Sequence, residues 1–203
     1  MRILLSTSNK DKLKELSSIL GNDYDLIIKS EVQLEDFDVV EDGETLRENA
    51  YKKAKELYDR TKENVISDDT GLFVEALDGA PGVYSARYAG IEHDYKANND
   101  KLMREMSSYT DPEDRRAYFK TVICLITEEG NEYFVEGILE GRIGFKPKGN
   151  HGFGYDPLFI LENGLSLAEI SEEEKNSISH RAKALEELKR LLIKMKESEK
   201  WKY

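Results

Sequence analysis

The first twenty residues constrain this chain more than any other stretch. Ile3, Leu4 and Leu5 form a short apolar run of buried-strand character, Ser6 to Lys12 make a polar turn, and Leu13, Leu16, Ile19 and Leu20 follow at helical spacing until Gly21 ends the pattern. The opening unit is therefore strand, turn, helix. Thr45 and Glu48 form a capping-box pair ahead of Leu46, Ala50, Ala54, Leu57 and Tyr58, which line one helical face. Val65 and Ile66 begin a strand that a polar segment interrupts and Gly71 to Leu77 continue, before a turn at Gly79 to Gly82. Asp94 to Met106 reads as helix, and the β-branched and aromatic runs at 117–127 and from 132 onward read as a hairpin. Glycines and prolines make 141–159 mostly loop, and Leu185, Leu188, Leu191, Leu192 and Met195 mark a last helix, with 197–203 expected as a frayed tail. Strands and helices mix without strict alternation, which predicts one α/β domain over residues 1–203, a mixed sheet flanked by helices.

Composition narrows the function classes. A chain of 203 residues can bury one substantial core. Its formal net charge of −11 opposes non-specific binding to nucleic acid, where neutralisation of phosphates by Lys and Arg dominates affinity. Cys124, the only cysteine, sits in an apolar run and reads as a small buried hydrophobe. Ile3 to Leu5 falls short of a signal-peptide core and no apolar stretch reaches membrane-spanning length, so no membrane contact and a cytoplasmic location are expected.

Several short segments carry chemistry. Lys10 and Lys12 stand at a helix start, where the partial positive charge disfavours them unless an anion lies nearby; the alternative is that they are simply solvated. The segment lacks the Gly-x-x-x-x-Gly-Lys form of a Walker loop. Asp68, Asp69, Thr70 and Gly71 interrupt an apolar strand. Adjacent carboxylates repel, and the pair is reasonable where the chain bends and a cation such as Mg²⁺ holds one of them, or where one takes a proton from an attacking water. An Asx-type turn at Gly71 is the plainer alternative. Lys53 lies on or beside the inward stripe of its helix, and either snorkels outward or needs an anion. Gly149 to Pro157 flanks Phe153 and Tyr155 with glycines and adds Asp156, an arrangement suited to stacking a planar base, or to tucking the rings into a core. Lys175 to Arg181 precedes or opens the last helix, with Ser179 a candidate cap and His180 and Arg181 able to donate to a base or a phosphate, or to serve as an ordinary charged helix start.

Together, Thr7 to Lys12 in its T-x-N-x-x-K form, Ser67 to Leu72, Gly79 to Tyr88, Gly152 to Pro157 and Lys175-Asn176 followed by Ser179 to Arg181 resemble the inosine triphosphate pyrophosphatase family, also called Ham1-like or XTP/dITP diphosphatases. The five blocks keep the family order from residue 2 to about 192. The resemblance implies a homodimer whose protomer has a long central mixed sheet and two α/β lobes with a nucleotide cleft between them. It implies Mg²⁺-assisted hydrolysis of damaged purine nucleoside triphosphates (ITP, dITP, XTP) to the monophosphate and pyrophosphate. It assigns Thr7, Ser8, Asn9, Lys10, Asp11, Lys12 and Lys53 to the triphosphate, Asp69 to general base and metal ligand, and Thr70 to substrate contact. Phe153, Gly154, Tyr155, Asp156, Lys175, His180 and Arg181 would surround the base. One departure bears on the metal: the acidic residue usual three positions before the glycine matching Gly43 is Val40 here, with Glu41 next to it. Either Glu41 turns in to join Asp69 at the metal, which calls for a local twist or bulge before Gly43, or Asp68 and Asp69 hold it without Glu41; the expected metal residues are Asp69, Glu41 and Asp68. A non-catalytic nucleotide sensor would lack a catalytic cation or carboxylate, and a different house-cleaning phosphatase would release other products.

Overall fold

A computed structural model describes residues 1–7, 10–20 and 24–200. The elements in chain order are β1 Arg2–Leu5, α1 Lys10–Leu20, β2 Asp25–Ile28, α2 Leu46–Thr61, β3 Val65–Val74, β4 Pro81–Gly82, α3 Tyr95–Glu105, β5 Arg116–Ile126, β6 Glu132–Ile143, β7 Phe159–Ile160, α4 Glu172–Ile178 and α5 His180–Lys200. The sheet runs β2-β1-β3-β5-β6-β7, with β4 paired to β3. It is mixed: β1 pairs parallel with β2 and β3, while β3 with β4 and β6 with β7 are antiparallel.

The opening unit forms as its sequence predicts. Ile3, Leu4 and Leu5 are buried, as befits an inner strand with parallel neighbours on both edges. At α2, Thr45 accepts from the Glu48 N–H and Glu48 reaches back to the Thr45 N–H at 3.1 Å, so the predicted capping box is built.

Three segments differ from expectation. β3 is continuous from Val65 to Val74, with no bend or turn at Asp68 to Gly71, because both aspartates have partners that offset their burial. A short helix, α4, stands apart from α5 and carries Lys175; Ser171 caps it by accepting from the Glu174 N–H. Helix α5 continues through Lys200, past the expected start of a frayed tail, and 201–203 lie outside the described residues.

The chain divides into two compact units, the first made of 1–69, 121–137 and 181–203 and the second of 70–120 and 138–180. In the first unit Ile3, Leu5, Leu16, Leu20, Ile66, Ile123, Leu125, Leu185, Leu188 and Leu192 share one core. The second has its own core, from Leu72, Val74, Leu102, Met106, Phe119, Leu139, Leu158, Phe159 and neighbours. There Arg115 is fully buried with no carboxylate paired to it among the described residues: its guanidinium donates to the carbonyls of Met106, Tyr109, Ile143 and Gly144 at 2.7 to 2.8 Å. These bonds fix the point where β6 gives way to the glycine-rich loop. No helix among the described residues is long and apolar enough to cross a membrane.

Candidate active site

Strand alternation sends Asp68 and Asp69 of β3 to opposite faces, and the structure gives each a different partner. Asp68 Oδ2 accepts from Arg181 Nε at 3.4 Å, an ion pair with both side chains almost wholly buried. Asp69 Oδ1 lies 3.5 Å from Lys53 Nζ, and its Oδ2 accepts from Asn49 Nδ2 at 3.2 Å. Glu41 reaches the same ammonium, its Oε2 at 3.1 Å from Lys53 Nζ.

Lys53 thus points inward rather than snorkelling, with 11% of its side chain exposed. Burial alone would push its pKa down, but the carboxylates of Asp69 and Glu41 outweigh that and hold it above its ordinary value. Val40 is exposed, so Glu41 and not its neighbour is the residue from this segment that turns in. The segment needs no bulge, since 37–43 is irregular backbone. Gly43 serves by its lack of a side chain: a Cβ there would stand 2.6 Å from Asn49 Oδ1, which accepts the Gly43 N–H at 2.8 Å.

The two carboxylates drawn to one ammonium, 3.1 and 3.5 Å from Lys53 Nζ, are hard oxygen donors of the kind Mg²⁺ takes. No three of His, Cys, Asp and Glu among the described residues enclose a metal ion by themselves. The described residues therefore offer single carboxylate donors and not a closed protein cage.

The second unit holds the other group. Asp156 Oδ2 accepts from Lys175 Nζ and from the Phe153 N–H, both at 2.8 Å, and Lys175 Nζ sits 4.5 Å from the centre of the Phe153 ring. The turn requires Gly152, whose φ is +73° and whose Cβ would come within 2.1 Å of Asp156 Oδ2. Phe153 and Gly154 remain half-buried. Tyr155 follows the second of the two alternatives for this loop: its ring is buried in the core and its hydroxyl donates to the Ser85 carbonyl at 2.9 Å. His180 is buried and stacks on Phe119 with centroids 4.6 Å apart.

Ser8 and Asn9 lie outside the described residues, as do the side chains of Lys10, Asp11 and Lys12 at the start of α1. Thr7 and Thr70 are half-buried. Sequence reasoning passed over Asn49 and Ser85. The sequence shows Asn49 only as a polar residue next to Ala50 of the apolar stripe; the structure buries its amide fully, where such a group must find partners. Ser85 carried no comparable signal; its Oγ accepts from the Leu72 N–H at 2.8 Å and donates to the Gly82 carbonyl at 2.6 Å, tying β3 to the turn after it.

Comparison with known proteins gives a consistent picture. The profile of the Ham1 family matches residues 3–191. The chain is similar to a dITP/XTP pyrophosphatase of Caldanaerobacter subterraneus subsp. tengcongensis, 47% identical over 197 residues that cover 96% of this chain and 97% of the relative. It is also similar to one from Listeria monocytogenes, 42% identical over 201 residues and 97% of both chains. Among solved structures, the Staphylococcus aureus Ham1 protein superposes with a TM-score of 0.87 at 37% identity, covering 96% of this chain and all of its own.

Proposed function

The chain belongs to the Ham1 family, and from that premise we propose that it is a pyrophosphohydrolase of damaged purine nucleoside triphosphates such as dITP, ITP and XTP. Two curated relatives above 40% identity over nearly the whole chain carry the name dITP/XTP pyrophosphatase. The observation that carries the chemistry is the convergence of Asp69 and Glu41 on Lys53.

Asp69 is the general base. Asn49 holds one carboxylate oxygen, and the other faces Lys53, so a water beside that oxygen can lose its proton to it. The water oxygen forms a new P–O bond at the α–β anhydride, the bridging P–O bond breaks, and monophosphate and pyrophosphate leave. Lys53 offsets the negative charge that builds on the phosphate oxygens. Asp69 and Glu41 would hold Mg²⁺, which when bound supplies further charge neutralisation at the phosphates. Asp68, engaged with Arg181, keeps that helix start in place rather than facing the phosphates. On the base side, the Phe153 ring stacks the purine and the Lys175 ammonium favours a 6-oxo group over the 6-amino group of adenine.

The test is a panel of triphosphates with Mg²⁺, scoring pyrophosphate against phosphate release. Pyrophosphate from dITP and XTP, with much slower turnover of ATP, is the expected result. Asp69→Asn is expected to lower kcat by roughly 100-fold or more while the fold is kept, in line with the loss of a positioned base. Equal turnover of ATP and dITP, or near-normal activity in Asp69→Asn, would refute the assignment.

A further inference from the structure

The orientation of Phe153 is set from outside its own loop, by one face of α3. The Tyr95 ring lies 6.0 Å from the Phe153 ring, tilted by 37°. Four residues on, and so on the same side of the helix, Asn99 Nδ2 donates to the Gly154 carbonyl at 2.9 Å. The two-residue segment Phe153–Gly154 is thereby held at both ends, since Asp156 accepts the Phe153 N–H. Gly154 has a φ of +63° and open space around a would-be Cβ, so packing does not confine it and the Asn99 bond fixes where its carbonyl points.

The amide of Asn99 has only one sensible orientation, because the reverse would set oxygen against the Gly154 oxygen. In that orientation its Oδ1 is buried with no hydrogen-bond partner among the described residues. An apolar side chain would fill the same volume without stranding an acceptor, so the amide is explained by its grip on Gly154 and not by packing.

We infer that Asn99, with Tyr95 beside it, is a positioning residue for base discrimination: it sets the plane in which Phe153 meets a purine, although it touches neither the base nor the phosphates. This rests on the base-stacking reading of Phe153 given above. Pyrophosphate release from dITP and dATP is to be measured for the wild type, Asn99→Ala, Phe153→Leu and the double variant. Asn99→Ala is expected to raise KM for dITP about tenfold and to narrow the dITP to dATP preference, with kcat within about twofold; in the Phe153→Leu background the same change should have less than about a twofold effect. Asn99→Asp has the native shape but a carboxylate that repels the Gly154 carbonyl, and it should reproduce Asn99→Ala if that variant folds poorly. An unchanged KM and preference in both variants, or an effect of equal size with and without Phe153, would overturn the inference. A wild type that releases no pyrophosphate from dITP would remove the activity itself, and with it this role.

Discussion

Lys53, which the proposed function sets against the phosphates, has an ionisation that is directly testable. Its pKa is raised in the folded protein, with burial opposed and outweighed by Asp69 and Glu41. A cation with a raised folded pKa contributes stability that is complete below the unfolded value and fades as pH climbs through the folded one. The gap in thermal midpoint between the wild type and Lys53→Met should therefore stay level from neutral pH to the ordinary lysine value of 10.5 and shrink only beyond it. A gap that closes by pH 9 would show that the ammonium titrates early and that the carboxylates do not hold it. The sequence could place Lys53 at the edge of the inward stripe, yet it could not choose between solvent and anion. That choice depended on Asp69, 16 positions away, and on Glu41, which turns in from irregular backbone. Asn49 was missed for a related reason: its partners, Gly43 and Asp69, come together only in the folded chain.

The elements with strong local signals were readable, and those that depend on distant partners were not. β1, α1 and the capped start of α2 follow from periodicity and capping residues. The two-residue strands β4 and β7 have no periodicity to read, and they exist because β3 and β6 offer them edges. β3 looked interrupted because a strand with two consecutive aspartates departs from every local preference, and only Arg181 and Lys53, on other elements, make it tolerable. Gly71 lies within that strand and sets a further test. A Cβ there would approach the Gly82 carbonyl oxygen to 2.5 Å, a contact with backbone that cannot swing aside. Gly71→Ala should cost about 1 to 3 kcal/mol by forcing β4 off β3, read as a lower denaturation midpoint. An unshifted midpoint would mean that β4 is free to move away at no cost.

At the scale of the whole molecule the acidic balance and the local cations work at different ranges. With a net charge of −11, the protein should not retard duplex DNA or RNA in a gel at about 100 mM salt, where non-specific binders need a surplus of basic contacts. Micromolar retardation would contradict that expectation. The cations that matter sit instead in small groups whose field is short-ranged, the Debye length being about 10 Å at that salt. The division of the chain carries a different consequence, for the order in which the protein can be made. The core of the first unit draws on Ile3 and Leu5 at one extreme and on Leu185, Leu188 and Leu192 at the other. During synthesis β1 and α1 emerge early and can pair with β2 and β3, but their core is not complete until α5 has left the ribosome. Closing so long a loop is entropically slow. The second unit, drawn from the middle of the chain, has all of its residues available before that last helix arrives.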